Sequence, residues 1–319
     1  MTPVRIASLV CALLLAPSLA FSAQDIPQAI FISDIGNNRI VRIADMDGSG
    51  WAVFGRAGNA TGQFRYPRGL SVDARGRIYI ADTGNDRIVR IDDMSGAGWI
   101  VFGRTGTTGG TGRFWEPSGV ALDAADRIYV ADTSNHRIVR LEGMDGAGWT
   151  AYEPRASLER LIEPKAVFID ASGRIYVADT LNDRVVRIDD ISGSGWDLFR
   201  PRATSEFLTK LYLPASVFVD APGRIYIADT GNHRIVRIDD FDGAGWVTFG
   251  AQGSGLNQFF EPTTIAVDRS GRIYVVDSGN HRIIRIDDMS GKGWATLGTE
   301  GGGVKQFEYP YGLALQPVR

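Results

Sequence analysis

The chain has 319 residues, of which 44% are hydrophobic and 22% charged, a composition within the range of globular proteins. Its formal net charge of −3 gives no overall attraction to nucleic acid or to an anionic membrane, so nucleic acid is not an expected partner and any anion site must be local. The only cysteine is Cys11, near the N-terminus, which leaves the rest of the chain without disulfide or thiol chemistry.

The first residues have the pattern of an export signal. One early cation, Arg5, precedes an apolar run from Ile6 to Ala20, shorter than the ~20 apolar residues of a membrane span. Small residues favour cleavage after Ala20, with a cut after Ala23 as the alternative. We therefore expect residues 1–23 to be a signal peptide, the mature protein to lack a membrane span, and its location to be periplasmic or secreted.

The remaining sequence is a sixfold repeat. Each copy contains an apolar run that ends in Asp, and these aspartates lie 48, 50, 47, 50 and 48 residues apart. They are Asp34, Asp82, Asp132, Asp179, Asp229 and Asp277. A near-constant period of this length predicts a repeat architecture.

Each copy divides into four short apolar runs separated by turn residues. In the second copy the runs are Gly69–Val72, Arg77–Ala81, Arg87–Ile91 and Trp99–Phe102. The second run is almost continuously apolar, which predicts a strand buried on both faces. Four antiparallel strands per copy, repeated around a ring, predict an all-β propeller.

The two ends of the chain predict how the ring closes. The first copy begins at Ala29 without a preceding strand, whereas Gly312–Leu315 forms a strand with only a short tail after it. We expect this last strand to be the innermost strand of the first blade, which makes residues 24–319 one six-bladed propeller. Such closure pairs edges that would otherwise promote aggregation.

The turn sequence Asp-Thr-Gly-Asn-His-Arg-Ile-Val-Arg, residues 229–237, together with Phe-Phe-Glu-Pro at 259–262, resembles the NHL repeat. The resemblance spans residues 27–316 and implies a six-bladed propeller, here an exported member of bacterial type. Relatives include extracellular ligand-sensing domains, RNA-binding and protein-binding modules and an amidating lyase, so the family by itself does not define the function.

The turn residues recur in every copy, which favours a structural role. We expect the Asp to accept turn amide protons, the Asn to adopt a left-handed conformation and the following Arg to pair with a carboxylate. A second arginine row is interpreted as ion pairs between blades. It consists of Arg42, Arg90, Arg140, Arg187, Arg237 and Arg285.

Three histidines, His136, His233 and His281, precede the turn arginine in copies three, five and six and are the candidates for a metal site. Their spread around the ring argues against one site, and no metal or cofactor is expected. In the amidating lyase, the resemblance implies a metal-binding histidine directly after the proline of the innermost strand. The matching residues here are Arg68, Ser118, Lys165, Ala215, Thr263 and Tyr311, so the lyase activity does not carry over and no catalytic residue is assigned.

Two connections between blades, residues 152–165 and 199–214, lose the glycines found in the others. We expect them to form a basic, partly aromatic rim on the channel face of blades 4 and 5, although loops also vary without function. The candidate residues are Arg155, Arg160, Lys165, Phe168, Arg200, Arg202, Lys210 and Phe218.

These observations predict an exported, monomeric binding scaffold that recognises a protein or a small, anionic ligand. The alternative is a propeller enzyme, resembling the amidating lyase or a hydrolase, with its site in the channel.

Overall fold

The computed structural model describes residues 29–106, 110–154, 156–199 and 210–316, which form a ring of six four-stranded antiparallel sheets, or blades. The predicted six-bladed all-β propeller is confirmed. The predicted signal peptide, residues 1–23, lies outside the described residues. Within the described ranges no helix has the length and apolar character needed to cross a lipid bilayer.

In each blade the strands run from the central channel outward. Blade 1 contains Pro310–Leu315, Ile30–Asp34, Arg39–Ile43 and Ala52–Phe54, and blade 2 contains Pro67–Val72, Ile78–Asp82, Arg87–Ile91 and Ile100–Phe102. Blade 3 contains Pro117–Leu122, Ile128–Asp132, Arg137–Leu141 and Thr150–Tyr152, and blade 4 contains Pro164–Ile169, Ile175–Asp179, Arg184–Ile188 and Asp197–Leu198. Blade 5 contains Pro214–Val219, Ile225–Asp229, Arg234–Ile238 and Val247–Phe249, and blade 6 contains Pro262–Val267, Ile273–Asp277, Arg282–Ile286 and Ala295–Leu297.

Short elements connect these strands. Two parallel pairs in the connections between blades join Arg104–Thr105 to Arg113–Phe114 and Thr299–Glu300 to Gln306–Phe307. Single turns of 3₁₀ helix follow the second strand of blades 2 to 6. They are Thr83–Asn85, Thr133–Asn135, Thr180–Asn182, Thr230–Asn232 and Ser278–Asn280.

The last strand closes the ring as predicted. Pro310–Leu315 pairs antiparallel with Ile30–Asp34, with Leu313 opposite Ile32. Blade 1 is therefore built from both ends of the chain, and its innermost strand packs among the other five around the channel.

The core lies between neighbouring blades rather than within one sheet. Every residue of Ile78–Asp82 is buried, which confirms that the second strand is covered on both faces. Phe64, from the connection into blade 2, is fully buried, and its ring centre lies 5.4 Å from that of Trp99 in the same blade. Phe54 of blade 1 packs against both rings, so these aromatic contacts join adjacent blades.

Candidate binding site at the channel mouth

The repeated Asp, Asn and Arg of each turn form one hydrogen-bonded unit on one face of the ring, called here the turn face. In blade 4, one carboxylate oxygen of Asp179 accepts from Asn182 at 2.8 Å and from Arg184 at 2.7 Å. The other oxygen accepts the backbone N–H of Ile162 at 2.7 Å. Arg184 also donates to the carbonyls of Leu158 and Arg160, so the turn fixes the connection that enters its own blade.

The same unit recurs in the other five blades, which supports its structural interpretation. Burial raises the pKa of each turn aspartate above its usual value, although the backbone N–H, Asn and Arg donors lower it. These carboxyl groups are fully buried, and both of their oxygens accept hydrogen bonds from the turn and from the connection that enters the blade. They are Asp34, Asp82, Asp132, Asp179, Asp229 and Asp277.

The prediction that the turn Asn is left-handed was wrong by one residue. The residue after it has φ between 52° and 55° in all six turns and directly precedes the third strand of its blade. The Asn instead donates its side-chain amide to the turn Asp. The left-handed residues are Asn38, Asp86, His136, Asp183, His233 and His281.

This left-handed position includes all three histidines and links each blade to the next. His136 Nδ1 accepts the backbone N–H of Glu163 at 3.0 Å, and His233 and His281 accept those of Glu261 and Tyr309 at 3.1 and 3.2 Å. Asn38, Asp86 and Asp183 accept the equivalent N–H groups through side-chain oxygens. The histidines are thus one of three solutions to the same hydrogen-bonding requirement. Among the described residues, no group of three or more His, Cys, Asp or Glu is placed to hold a metal.

The second arginine row was also misinterpreted, because its ion pairs lie within blades. Arg90 pairs with Asp92 at 3.3 Å, and Arg187 pairs with Asp197 at 3.1 Å. Asp92 follows the end of the strand that contains Arg90, and Asp197 lies opposite Arg187 on the neighbouring strand of the same sheet, so neither ion pair crosses to another blade. Across the blade 4–5 boundary, Arg187 instead lies 4.7 Å from the ring centre of Phe241.

The channel mouth lies on the turn face and is formed by the residue that follows each innermost-strand proline. At this residue the pairing with the second strand is interrupted by a bulge in all six blades, as at Lys165 between Pro164 and Ala166. A β-bulge changes the direction of a side chain relative to a regular strand. The six residues differ completely: Tyr311, Arg68, Ser118, Lys165, Ala215 and Thr263.

Two of the mouth residues are cations, and none is acidic. The Arg68 guanidinium lies 5.5 Å from the ring centre of Tyr311 in the neighbouring blade. The Arg68 Nε and the Tyr311 hydroxyl are buried atoms without a hydrogen-bond partner. Neither Arg68 nor Lys165 forms an ion pair with a carboxylate of the described ranges. The mouth therefore has unpaired positive charge and unused donors.

Behind the mouth lies a cavity of about 330 Å³ along the channel, lined by all six innermost strands. Lys165 is its one charged lining residue among those described. Tyr311 lines the mouth, and deeper in the cavity lie the aromatic side chains of Phe168 and Phe218. Their ring centres are 4.9 Å apart at an angle of 53°. At the equivalent position the other blades have small residues: Ser71, Ala121, Ala266 and Ala314.

The structure brings together part of the candidate set. Lys165, Phe168 and Phe218 line one cavity, with the aromatic pair three residues deeper than Lys165. The side chains of Arg160 and Lys210 are exposed on the turn face, while their carbonyls accept from Arg184 and Arg234. Arg155, Arg200 and Arg202 lie outside the described residues.

Sequence reasoning missed Arg68 and Tyr311 as site residues. The sequence comparison asked only whether these positions carry the metal-binding histidine of the amidating lyase. The six repeats carry six different residues at this position, and that variation is the signal that could have identified the site. The bulge at these two residues has no signal in the hydrophobic pattern, because it interrupts the strand pairing over only two residues.

Comparison with solved structures shows the fold class. A chain in the crystal structure of a nidogen/laminin complex is 16% identical, with a TM-score of 0.69 over 91% of this chain and 98% of that chain. A streptogramin B lyase is 15% identical, with a TM-score of 0.59 over 90% and 83%. A protein of unknown function from Bacteroides caccae is 16% identical, with a TM-score of 0.61 over 91% and 99%. At these identities the likeness shows the six-bladed propeller alone.

The family follows from the repeats themselves. The NHL repeat matches residues 64–91, 114–141, 211–238 and 259–286, in blades 2, 3, 5 and 6. Each match begins at the buried Phe or Leu of a connection and ends with the third strand. The chain is therefore an NHL-repeat β-propeller. No protein with a curated description matches its sequence.

Proposed function

We propose that this protein is an exported binding protein whose ligand site is the channel mouth and the cavity behind it. The ligand is a small molecule or group with an anionic head and an apolar body. The observation that carries the proposal is the unpaired charge of Lys165, which lines a cavity that holds one phenylalanine pair, and of Arg68, which lies against Tyr311 of the same lining.

The cations favour a carboxylate or phosphate head. Partial burial removes water from a cation at a cost in free energy. When the cation has no carboxylate partner, the charged hydrogen bonds of a bound anion offset that cost. The free Arg68 Nε and Tyr311 hydroxyl offer hydrogen-bond donors to the same head group. An ammonium group would be repelled by the two cations at this entrance.

The cavity favours an apolar body of defined length. Phe168 and Phe218 lie three residues along their strands from the mouth, a distance of about 10 Å at the usual rise per residue. Four blades leave space at that level because they carry Ser or Ala, so an aromatic or aliphatic group can pack against the pair.

Calorimetric titration with two probes of equal shape tests the proposal. We expect 4-phenylbutyrate to bind once per chain and about tenfold or more tightly than 4-phenylbutylammonium, since a charged hydrogen bond contributes 1.5–3 kcal/mol. Arg68→Met and Lys165→Met should each weaken the anion about tenfold. Arg75→Met, at an exposed arginine of the hairpin between the first two strands of blade 2, is the control and should bind like the wild type.

Equal affinity for the two probes, or anion binding unchanged in both mouth variants, would contradict the proposed site. Melting temperatures of all variants should agree within about 2 °C, because the side chains of Arg68 and Lys165 form no hydrogen bond or ion pair within the described residues. A loss of affinity accompanied by a large loss of stability would indicate a structural role instead.

Export and the monomeric state belong to the same proposal. Export is supported by the apolar run after Arg5 in the sequence. When the full-length gene product is expressed, cell fractionation should recover it outside the cytoplasm in a form shortened by about 20 residues. A variant that begins at residue 24 should stay inside the cytoplasm. Light scattering of the mature protein should give the mass of one chain.

A further inference from the structure

Six dipeptides surround the channel mouth on the turn face, each between the buried Phe or Leu of a connection and the innermost-strand proline. They are Arg65-Tyr66, Trp115-Glu116, Ile162-Glu163, Tyr212-Leu213, Phe260-Glu261 and Glu308-Tyr309. Five of the six contain an aromatic residue whose side chain is exposed, between 37% and 54%. These five residues, Tyr66, Trp115, Tyr212, Phe260 and Tyr309, are called here the aromatic crown.

The crown is held on a rigid backbone. In every dipeptide the first N–H donates to the turn Asp of its own blade, and the second donates to the left-handed turn residue of the preceding blade. The second residue is itself left-handed in all six, with φ between 48° and 52°. Non-glycine residues adopt this conformation at a cost, and Tyr66, Leu213 and Tyr309 do so while partly exposed.

Two crown rings are also fixed from the side. Phe260 stacks on the His233 imidazole with ring centres 5.2 Å apart, and Tyr309 packs against His281 at 4.5 Å. Aromatic groups that are exposed but already ordered lose little conformational entropy when a partner binds. Exposed apolar surface concentrated on one face is typical of an interaction site.

The charges define what fits this surface. The centre of the face carries the unpaired cations Arg68 and Lys165, while the surrounding dipeptides carry one arginine, Arg65, and four acids, Glu116, Glu163, Glu261 and Glu308. An anion is attracted to the centre and repelled by the excess of acidic residues in the surrounding dipeptides. A polyanion such as nucleic acid would lie over both, so the pattern fits a single negative charge between apolar, neutral or basic flanks.

We propose that the aromatic crown docks a polypeptide, which inserts one acidic side chain into the channel mouth and packs its flanking residues on the crown. This inference rests on the proposed anion site and specifies its ligand as a carboxylate borne on a protein. A free small anion fills the 330 Å³ cavity without using the crown, whereas a loop or peptide uses both. The dipeptide of blade 4, Ile162-Glu163, lies closest in sequence to Lys165 and is the one without an aromatic residue.

The test selects binders from an mRNA-displayed library of random 12-residue peptides against the full mature protein. Enriched peptides should share an Asp or Glu with apolar or basic neighbours. Replacement of that acid by its amide should weaken a synthetic peptide about tenfold or more. The crown variant Tyr66→Ser/Tyr212→Ser/Tyr309→Ser should weaken it similarly and still bind 4-phenylbutyrate like the wild type.

A matched control places three substitutions outside the crown, on exposed apolar residues of outermost strands: Val53→Thr/Ile100→Thr/Val101→Thr. This variant should bind the peptide unchanged. Enriched peptides without a common acid, or equal peptide affinity in the crown and wild-type proteins, would overturn the inference. Binding of a neutral oligosaccharide such as cellohexaose that depends on the crown would also overturn it. Failure of 4-phenylbutyrate to bind the wild type would instead contradict the proposed anion site.

Discussion

Two sets of equivalent residues, the turn aspartates and the mouth residues, show how a sixfold ring can hold one site. At the turn, all six blades carry Asp, and each carboxylate serves the same three donors. At the mouth, one residue after each innermost proline, six blades carry six different residues. The identical turn aspartates stabilise the ring, and the varied mouth residues make one side of the channel mouth positively charged and different from the others. Substitutions in the first should therefore cost stability, and substitutions in the second should cost binding.

The largest expected effect is on ring closure. Deletion of the last ten residues removes Pro310–Leu315 and leaves Ile30–Asp34 without its inner partner, exposing a strand edge and the cluster around Leu313. We expect an insoluble or non-cooperatively melting product by differential scanning calorimetry. Deletion of only residues 317–319 is the control and should melt like the wild type. A soluble ten-residue truncation with a cooperative transition would contradict the closure.

A single framework substitution should have the next largest effect. Asp179→Ala leaves Arg184, Asn182 and the Ile162 N–H without their buried acceptor, and loss of one partner of a buried ion pair costs about 3–5 kcal/mol of unfolding free energy. Urea unfolding should show this loss. Asp190→Ala, at an exposed carboxylate of the same blade, should stay within about 1 kcal/mol. Equal costs for the two variants would remove the distinction between framework and surface.

Alkaline pH tests a different part of the framework. Burial raises the pKa of Tyr226 to about 12, and its hydroxyl donates to Asp220 at 3.2 Å. The pKa of Tyr226 in the folded state exceeds the ordinary value near 10. The stabilisation that the neutral Tyr226 side chain gives the folded state is therefore fully present below pH 10 and is lost as the pH rises toward 12. The stability advantage of wild type over Tyr226→Phe should therefore fall by about 2 kcal/mol across this range.

Urea unfolding at several pH values measures that difference. Tyr66→Phe, at an exposed side chain, is the control and should give a curve parallel to that of the wild type. A constant difference between wild type and Tyr226→Phe would contradict the assigned pKa.

The smallest effect concerns the histidines. His281→Asn should change the unfolding free energy by less than about 0.5 kcal/mol at pH 8, because Asn38 makes the same inter-blade contact in blade 1 and Asn accepts a left-handed conformation. His281→Ala lacks the acceptor and should cost about 1 kcal/mol or more in urea unfolding. If the Asn variant were as unstable as the Ala variant, the histidine would have a role beyond this hydrogen bond.

The fold could be predicted almost completely from the sequence, because the information repeats. Six aspartates at constant spacing, a fully apolar second strand and an unpaired strand at each end define blades, burial and closure without knowledge of any side-chain direction. The same recurrence identified the turn residues as structural. It did not identify which of them is left-handed, since Asn37 and Asn38 are adjacent and both tolerate turns.

The site could be predicted only in part. Phe168 and Phe218 were visible because they replace small residues at one repeat position, and the structure places their rings in contact. Arg68, Tyr311 and the crown required the bulge and the left-handed dipeptides, which are single-residue features of the backbone. Hydrophobic periodicity averages over many residues and is insensitive to them.

We expect the ligand to bind at the six varied residues of the channel mouth. A titration of ¹⁵N-labelled mature protein with 4-phenylbutyrate, followed by ¹H–¹⁵N correlation spectra, locates binding directly. We expect saturable shifts at Arg68, Lys165, Phe168, Phe218 and Tyr311, with the hairpin around Arg75 unaffected. Shifts centred on the outer strands or spread evenly over all six blades would contradict it.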